Sequence, residues 1–197
     1  MTELWCLFWE EEMGAEEIRA LSAILPPRRR ERLERTRDAG QRCQVLLAYG
    51  LLALALKERH GCKALPEIAL AEGGKPFFPG EPHIHFSVSH SDGAVLAGLS
   101  DAAVGVDIQR EHSVGPHVMA RLGPGLSEAE FLRAWVRREA LVKRSGVGLA
   151  GTLGEEPLLG KGERYRALDL APGYFAGICW EGEEPVLLHR RTLKDLL

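Results

Sequence analysis

Apolar and polar positions alternate over Glu3 to Trp9, and that period of two predicts a first β-strand. From Ala15 to Leu25 the apolar residues recur at helical spacing, and Pro26-Pro27 ends the helix because neither ring nitrogen can donate a hydrogen bond. Arg28 to His60 reads as one long helix or two closely spaced ones, basic at the start, apolar later and closed by Gly61. Ile68 to Ala71 is a short strand before the turn Glu72-Gly73-Gly74-Lys75-Pro76. Strands over His85 to His90 and Ala94 to Leu99 flank Ser91-Asp92-Gly93, whose Asp-Gly step signals a hairpin. Ala103 to Gln109 is expected to complete a small sheet with them.

Gly115-Pro116 and Gly123-Pro124-Gly125 punctuate the next stretch, and the pattern resumes with a capping box, Ser127 with Glu130 three residues later. The helix that follows should run to Ser145 and stop at Gly146, and strands are expected over Tyr165 to Leu170, Tyr174 to Trp180 and Pro185 to His189. A helix followed by three strands thus occurs twice. That order predicts an α+β fold of two similar lobes, residues 1–109 and 110–197, although no residue-level repeat accompanies it.

The chain of 197 residues is long enough for one sizeable core or two smaller ones. Its composition, 45% hydrophobic and 27% charged with a net charge of −3, is that of an ordinary globular protein and does not advertise nucleic acid. The longest apolar run, Val45 to Leu56, is well short of the roughly 20 residues that cross a bilayer and reads as a buried helix. The N-terminus lacks the basic start and the cleavage site of a signal peptide. Cys6, Cys43, Cys62 and Cys179 are dispersed without zinc-ligand spacing, so reduced thiols and a cytoplasmic location are expected.

Two stretches carry charge where burial is expected. In Gly105-Val106-Asp107-Ile108-Gln109 the strand period puts Asp107 and Gln109 on one face, while Trp135, Glu139 and Lys143 follow one another at i, i+4 and i+8 on the second long helix. Asp107, Gln109 and Glu139 offer oxygen ligands with no His or Cys beside them, a set that suits Mg2+, and Lys143 could hold a phosphate that the metal does not neutralise. Taken singly, Glu139 and Lys143 also fit a helix-surface ion pair worth about 0.3–0.5 kcal/mol, and Asp107 fits a strand-end turn residue. Gly73-Gly74-Lys75-Pro76 adds a turn able to approach an anion, and Ser89, His90 and Ser91 end a strand with groups suited to phosphate oxygens. A plain surface turn and a hairpin end are the alternatives for these two.

Gly-Lys-Pro at 74–76, Phe-Ser-Val-Ser-His-Ser at 86–91, Gly-Val-Asp-Ile at 105–108 and Trp-x-x-Arg-Glu-Ala-x-x-Lys at 135–143 together resemble the 4'-phosphopantetheinyl transferase superfamily, in its two-lobed surfactin type. The resemblance covers roughly residues 20 to 180. It implies a pseudo-dimeric α+β fold with coenzyme A and Mg2+ in the cleft between lobes. By the same resemblance Asp107, Gln109 and Glu139 are metal ligands, Lys143 meets the pyrophosphate, and Lys75, Pro76, Ser89 and His90 surround the 3'-phosphate and adenine end. The basic run from Arg28 matches the family's basic helix. An inward Leu33 selects Arg29 and Arg32 for one outward face, with Arg42 further along, while Glu31, Glu34 and Asp38 interleave as on a solvated face.

The implied reaction moves the 4'-phosphopantetheine arm from coenzyme A to a serine of an acyl or peptidyl carrier protein and releases adenosine 3',5'-bisphosphate. Asp107, Glu139 and Lys143 are its expected catalytic residues, with Glu139 the candidate base, and the chain is expected to act as a monomer with no nucleic-acid or membrane partner. Gln109 stands where such members usually have a second acid, and Arg138 where they usually have Lys. The first departure keeps a second reading open, a noncatalytic coenzyme A or nucleotide-binding module with a decayed metal site.

Overall fold

A computed structural model describes residues 1–10, 12–148 and 158–197. The strands are β1 (Thr2–Phe8), β2 (Ala69–Leu70), β3 (Pro76–Phe77), β4 (His85–Ser91), β5 (Ala94–Ser100), β6 (Val104–Arg110), β7 (Glu163–Leu168), β8 (Tyr174–Glu181) and β9 (Leu187–Arg191). The helices are α1 (Ala15–Ile24), α2 (Pro27–Glu34), α3 (Ala39–His60), α4 (Pro116–Leu122) and α5 (Glu128–Ser145), and a 3-10 turn covers Leu193–Leu196. The fold is mixed α+β, and the described residues form three sheets, ordered β4-β5-β1-β9, β2-β3 and β6-β8-β7.

The two larger sheets lie face to face, and each carries a long helix on its outer side. The strand period accounts for this arrangement. Trp5 and Leu7 of β1, with Val95, Ala97 and Leu99 of β5, face one way onto α1 and α3. Leu4 and Cys6, with Ala94 and Leu96, face the other way and meet Val104, Val106, Ile108 and Ile178 of the second sheet. Both faces of β1 and β5 are therefore buried, which explains their nearly continuous apolar sequences. On the far side Ala140 and Leu141 of α5 cover Cys179 of β8.

The basic-to-apolar segment forms two helices. Residues 35–38 separate them, the Asp38 carboxylate caps α3 by accepting from Gln41 N at 2.6 Å, and Gly61 closes it in the left-handed conformation at φ 69°. Among the described residues α3 is the one helix long and apolar enough to cross a membrane, yet Leu46, Leu47, Leu51, Leu52 and Leu56 are buried in the core. Each such burial stabilises the fold by about 1.5–3 kcal/mol. The capping box at Ser127 forms, with Ser127 N donating to Glu130 at 2.8 Å, and Gly146 ends α5 at φ 78°.

Three placements differ from the sequence reading. β6 does not extend the β4–β5 hairpin but pairs antiparallel with β8, from Val104↔Trp180 to Arg110↔Tyr174. β9 leaves β7 and β8 and runs parallel to β1, with Trp5 opposite His189. The punctuated stretch after Arg110 contains α4, entered through Gly115-Pro116 with Pro at its first turn; none of its residues is buried, so no apolar stripe announces it.

β4 and β6 are edge strands of different sheets, and side chains join them. The hydroxyls of Ser87, Ser89 and Ser91 accept hydrogen bonds from Val106 N (3.1 Å), Ile108 N (3.3 Å) and Arg110 N (2.9 Å). Three serines at a spacing of two thus replace the carbonyls of a backbone ladder along the edge of β6 away from β8.

Candidate functional site

The charged residues of β6 and α5 meet because Gly105 lets strand and helix approach closely. A Cβ at Gly105 would overlap the Ala140 carbonyl and the Arg144 backbone. Two residues further along the same face, Asp107 is 1% exposed, and Glu139 of α5 is 8% exposed. Lys143 Nζ lies 2.6 Å from Asp107 Oδ1. The i, i+4 pair of Glu139 with Lys143 is not the contact made, because the ammonium reaches across to the strand instead.

Ser89 completes this arrangement. Its hydroxyl donates to Asp107 Oδ1 at 2.8 Å and accepts from Lys143 Nζ at 3.1 Å as well as from Ile108 N. One donor and two acceptor positions are all that a hydroxyl has, so Ser89 is saturated. Gln109 also turns inward, its amide nitrogen 3.3 Å from Asp107 Oδ2. Glu139 makes no hydrogen bond or ion pair among the described residues, and burial raises its carboxyl above the ordinary range, opposed by the Lys143 charge and aided by Asp107.

These groups line a cleft of about 430 Å³ whose other wall comes from α2 and α3. Arg29 and Arg32 stand on that wall with Thr36, Val45 and Tyr49, and His90 stands at the mouth. The Arg29 guanidinium lies 5.3 Å from the centre of the Tyr49 ring. Tyr49, Thr36 and Val88 were not singled out by the sequence, and the polar tip of a lone Tyr inside the Val45–Leu56 run was the available signal. His90 Nδ1 is 2.9 Å from Gln44 Oε1, and Gln44 donates to Asp92 at 3.0 Å. Burial and then the Lys143 charge lower the affinity of His90 for a proton.

A second cavity of about 250 Å³ continues on the other side of Val88, Glu139 and Lys143, between the Gly73–Pro76 turn and the end of α5. Lys75 and Pro76 lie here, away from the arginines. Lys75 Nζ donates to Val104 O (3.1 Å) and Arg144 O (2.8 Å), so its ammonium fastens the turn to β6 and α5, and burial beside Arg144 pushes its pKa down to about 8. Arg42 is elsewhere: its guanidinium donates to the carbonyls of Thr36 (2.7 Å) and Arg37 (3.0 Å), and it lines a separate groove with Ile18 and Cys43. The expected set therefore divides. Asp107, Gln109, Glu139, Lys143, Ser89, His90, Arg29 and Arg32 share one cleft, Lys75 and Pro76 border its extension, and Arg42 does not join them.

The donor chemistry admits a hard dication. Two buried carboxylates and one amide face the cleft, all offering oxygen, and Glu139 has no cationic partner within ion-pair distance among the described residues. Among the described residues no group of three His, Cys, Asp or Glu side chains forms a metal cluster, so a cation here would complete its shell with other oxygens. Coordination by Gln109 requires its amide to turn its oxygen inward, and coordination by Asp107 requires Lys143 to yield.

No family model matches the chain. Curated proteins do. The 4'-phosphopantetheinyl transferase AcpT of Escherichia coli (strain K12) is 34% identical over 140 residues, covering 64% of this chain and 67% of that protein. The 4'-phosphopantetheinyl transferase Sfp of Bacillus subtilis (strain 168) is 20% identical over 161 residues, covering 75% and 72%. A further 4'-phosphopantetheinyl transferase of Bacillus subtilis is 20% identical over 185 residues, covering 87% and 83%.

Proposed function

Since the chain belongs to the 4'-phosphopantetheinyl transferase family, we propose that it transfers the 4'-phosphopantetheine arm of coenzyme A to a serine of an apo acyl or peptidyl carrier protein, releasing adenosine 3',5'-bisphosphate. The observation that carries this reading is the meeting of Asp107 from β6 with Glu139 and Lys143 from α5, in a cleft whose opposite wall bears Arg29 and Arg32. Carboxylates on one side and guanidinium groups on the other suit a ligand that brings a metal-bound pyrophosphate and a separate phosphate.

In this reading Asp107 and Glu139 would hold Mg2+, with the Gln109 amide oxygen as a further donor. When bound, the ion would neutralise the pyrophosphate and polarise the phosphoryl oxygen. Lys143 leaves Asp107 for the leaving phosphate, where its charge opposes the negative charge that develops. Glu139 is the candidate to take the proton of the incoming serine hydroxyl, through a carboxylate oxygen that the ion leaves open. Arg29, Arg32 and His90 take the 3'-phosphate. Lys75 and Pro76 act on the ligand through the shape of the turn they fix, since the Lys75 ammonium is engaged by two carbonyls.

The architecture we infer is a pseudo-dimer of two lobes, 1–109 and 110–197, each a sheet with one long helix, joined at the serine seam. β6 and β9 are exchanged across that division, since β6 pairs with β8 and β9 with β1. A monomer then contains the whole cleft, and with four free cysteines it suits the cytoplasm.

Incubation with coenzyme A, Mg2+ and an apo carrier protein, followed by intact mass measurement, tests the function. Addition of one pantetheine arm is expected, and Asp107→Ala and Glu139→Ala should each abolish it. Transfer retained by either variant would sink the metal assignment. Coenzyme A binding without transfer by the unaltered chain would favour the noncatalytic module instead, a reading that the inward-turned Gln109 amide and the Lys143–Asp107 pair support.

A further inference from the structure

The cleft leaves one hydrogen-bond chain without a role. It begins at the β4–β5 turn, where Tyr174 OH donates to Asp92 O at 2.5 Å and Gly93 adopts φ 75°, fixing the backbone that carries the Asp92 carboxylate. That carboxylate can only accept, so the Gln44 group 3.0 Å away is its NH2. The orientation of the amide follows, and Gln44 Oε1 is the atom presented to His90 Nδ1 at 2.9 Å. An amide oxygen can only accept. His90 Nδ1 therefore carries a hydrogen, and a neutral ring has a bare lone pair at Nε2. Nε2 makes no hydrogen bond among the described residues, and His90 lines the same cleft as Arg29 and Arg32.

We propose that Gln44, held by Asp92, is a positioning residue that fixes the His90 tautomer and so makes recognition of a phosphomonoester in this cleft depend on a proton carried at Nε2. The proposal rests on the reading that the cleft takes the 3'-phosphate of coenzyme A. A neutral His90 tethered this way presents a lone pair, which a phosphate dianion repels; protonated at Nε2, it presents a charged donor. The charges around the ring are Arg29 and Arg32 from α2, Asp92 from the turn, Asp107 from β6, and Glu139 and Lys143 from α5. Burial and Lys143 disfavour the charged ring in the free protein, so the proton is taken up when the phosphate arrives.

The test measures dissociation constants for coenzyme A and for 3'-dephospho-coenzyme A by calorimetry at pH 6.5 and 8.5, with no carrier protein present. The unaltered chain should prefer coenzyme A, and that preference should fall by about threefold or more between the two pH values, within a ceiling of about tenfold per unit for one linked proton. Gln44→Leu frees the neutral ring to carry its hydrogen at Nε2, and its preference should change by less than about twofold over the same range. A Gln44→Leu protein with the slope of the unaltered chain overturns the proposal. His90→Gln separates it from the reading beneath it. If His90→Gln keeps the preference and slope of the unaltered chain, the 3'-phosphate assignment falls and the proposal with it. If His90→Gln loses them while Gln44→Leu does not, only the role of Gln44 falls.

Discussion

Ser89 joins Asp107 of β6 to Lys143 of α5 through a single hydroxyl. Its place in Phe-Ser-Val-Ser-His-Ser marks a polar side chain near the end of a strand, and a phosphate contact is a natural inference from that. The fold uses the hydroxyl fully, on Asp107, Lys143 and the Ile108 amide, so its contribution is to hold a buried carboxylate in position. Lys75 and Lys143 teach the same lesson. The sequence marks them as cations near an anion site, but partners from distant elements, two carbonyls for Lys75 and Asp107 for Lys143, decide where the charges go. Replacing Ser89 by Ala leaves the Ile108 amide without its side-chain acceptor and Asp107 Oδ1 without its hydroxyl donor, which should destabilise the fold by about 1–3 kcal/mol. It should also weaken Mg2+ binding to the free protein, measured by calorimetry, while Ser89→Thr restores both because a β-branched residue suits a strand. Unchanged metal affinity in Ser89→Ala would show that the hydroxyl does not position Asp107.

Elements were legible where periodicity and caps agree. β1, β4, β5, β8, α1, α5 and the end of α3 lie within a residue or two of their sequence positions, because alternation, an N-cap such as Ser127 and a left-handed Gly such as Gly61 or Gly146 are local signals. Pairing was not legible. β6 is an edge strand buried like a central one and β9 an edge strand with little burial, so neither pattern names its neighbour and the partners of both could not be read. The Gly73–Pro76 turn shows how such elements are then fastened. A Cβ at Gly73 would overlap the Gly146 carbonyl, and Lys75 ties the turn to the last turn of α5 and to the start of β6. Its folded pKa of about 8 lies below the 10.5 of a free lysine. Between those values the unfolded chain binds more protons, so the cost of burying the ammonium is fully present below pH 8 and is relieved as pH rises through that window. Urea unfolding at pH 7.5 and 10 should therefore show the unaltered chain gaining stability relative to Lys75→Met, by an amount on the order of 2–3 kcal/mol. A pH-independent difference would mean that Lys75 is better solvated than its contacts indicate.

At the scale of the whole molecule the last strand closes what the first strand opens. β9 pairs with β1 across nearly the full length of the chain, from Glu3↔Leu187 to Leu7↔Arg191. Side chains reinforce the pairing. His189 Nε2 lies 2.8 Å from Glu3 and its ring stacks on Trp5 at 4.6 Å, while Arg191 and the Trp5 indole both donate to Glu58 of α3. Behind them the buried Leu196 packs against Gly50, so the end of the chain also covers the long core helix. These ion pairs are partly exposed and each contributes at most about 1 kcal/mol, so the strap owes more to the ladder and to apolar cover than to charge. A chain ending at Glu184 should unfold at a markedly lower urea concentration, having lost about 3–5 kcal/mol of the 5–15 typical of a domain, and should associate through the bared edge of β1. The cleft is built from α2, α3, β4, β6 and α5 and takes no residue from β9. Coenzyme A should therefore still bind the truncated chain in the folded fraction, with a dissociation constant close to that of the full chain once the unfolded fraction is accounted for. A truncated chain with undiminished stability would refute the strap, and a folded one unable to bind coenzyme A would show that β9 supports the cleft through the sheet rather than merely closing its far edge.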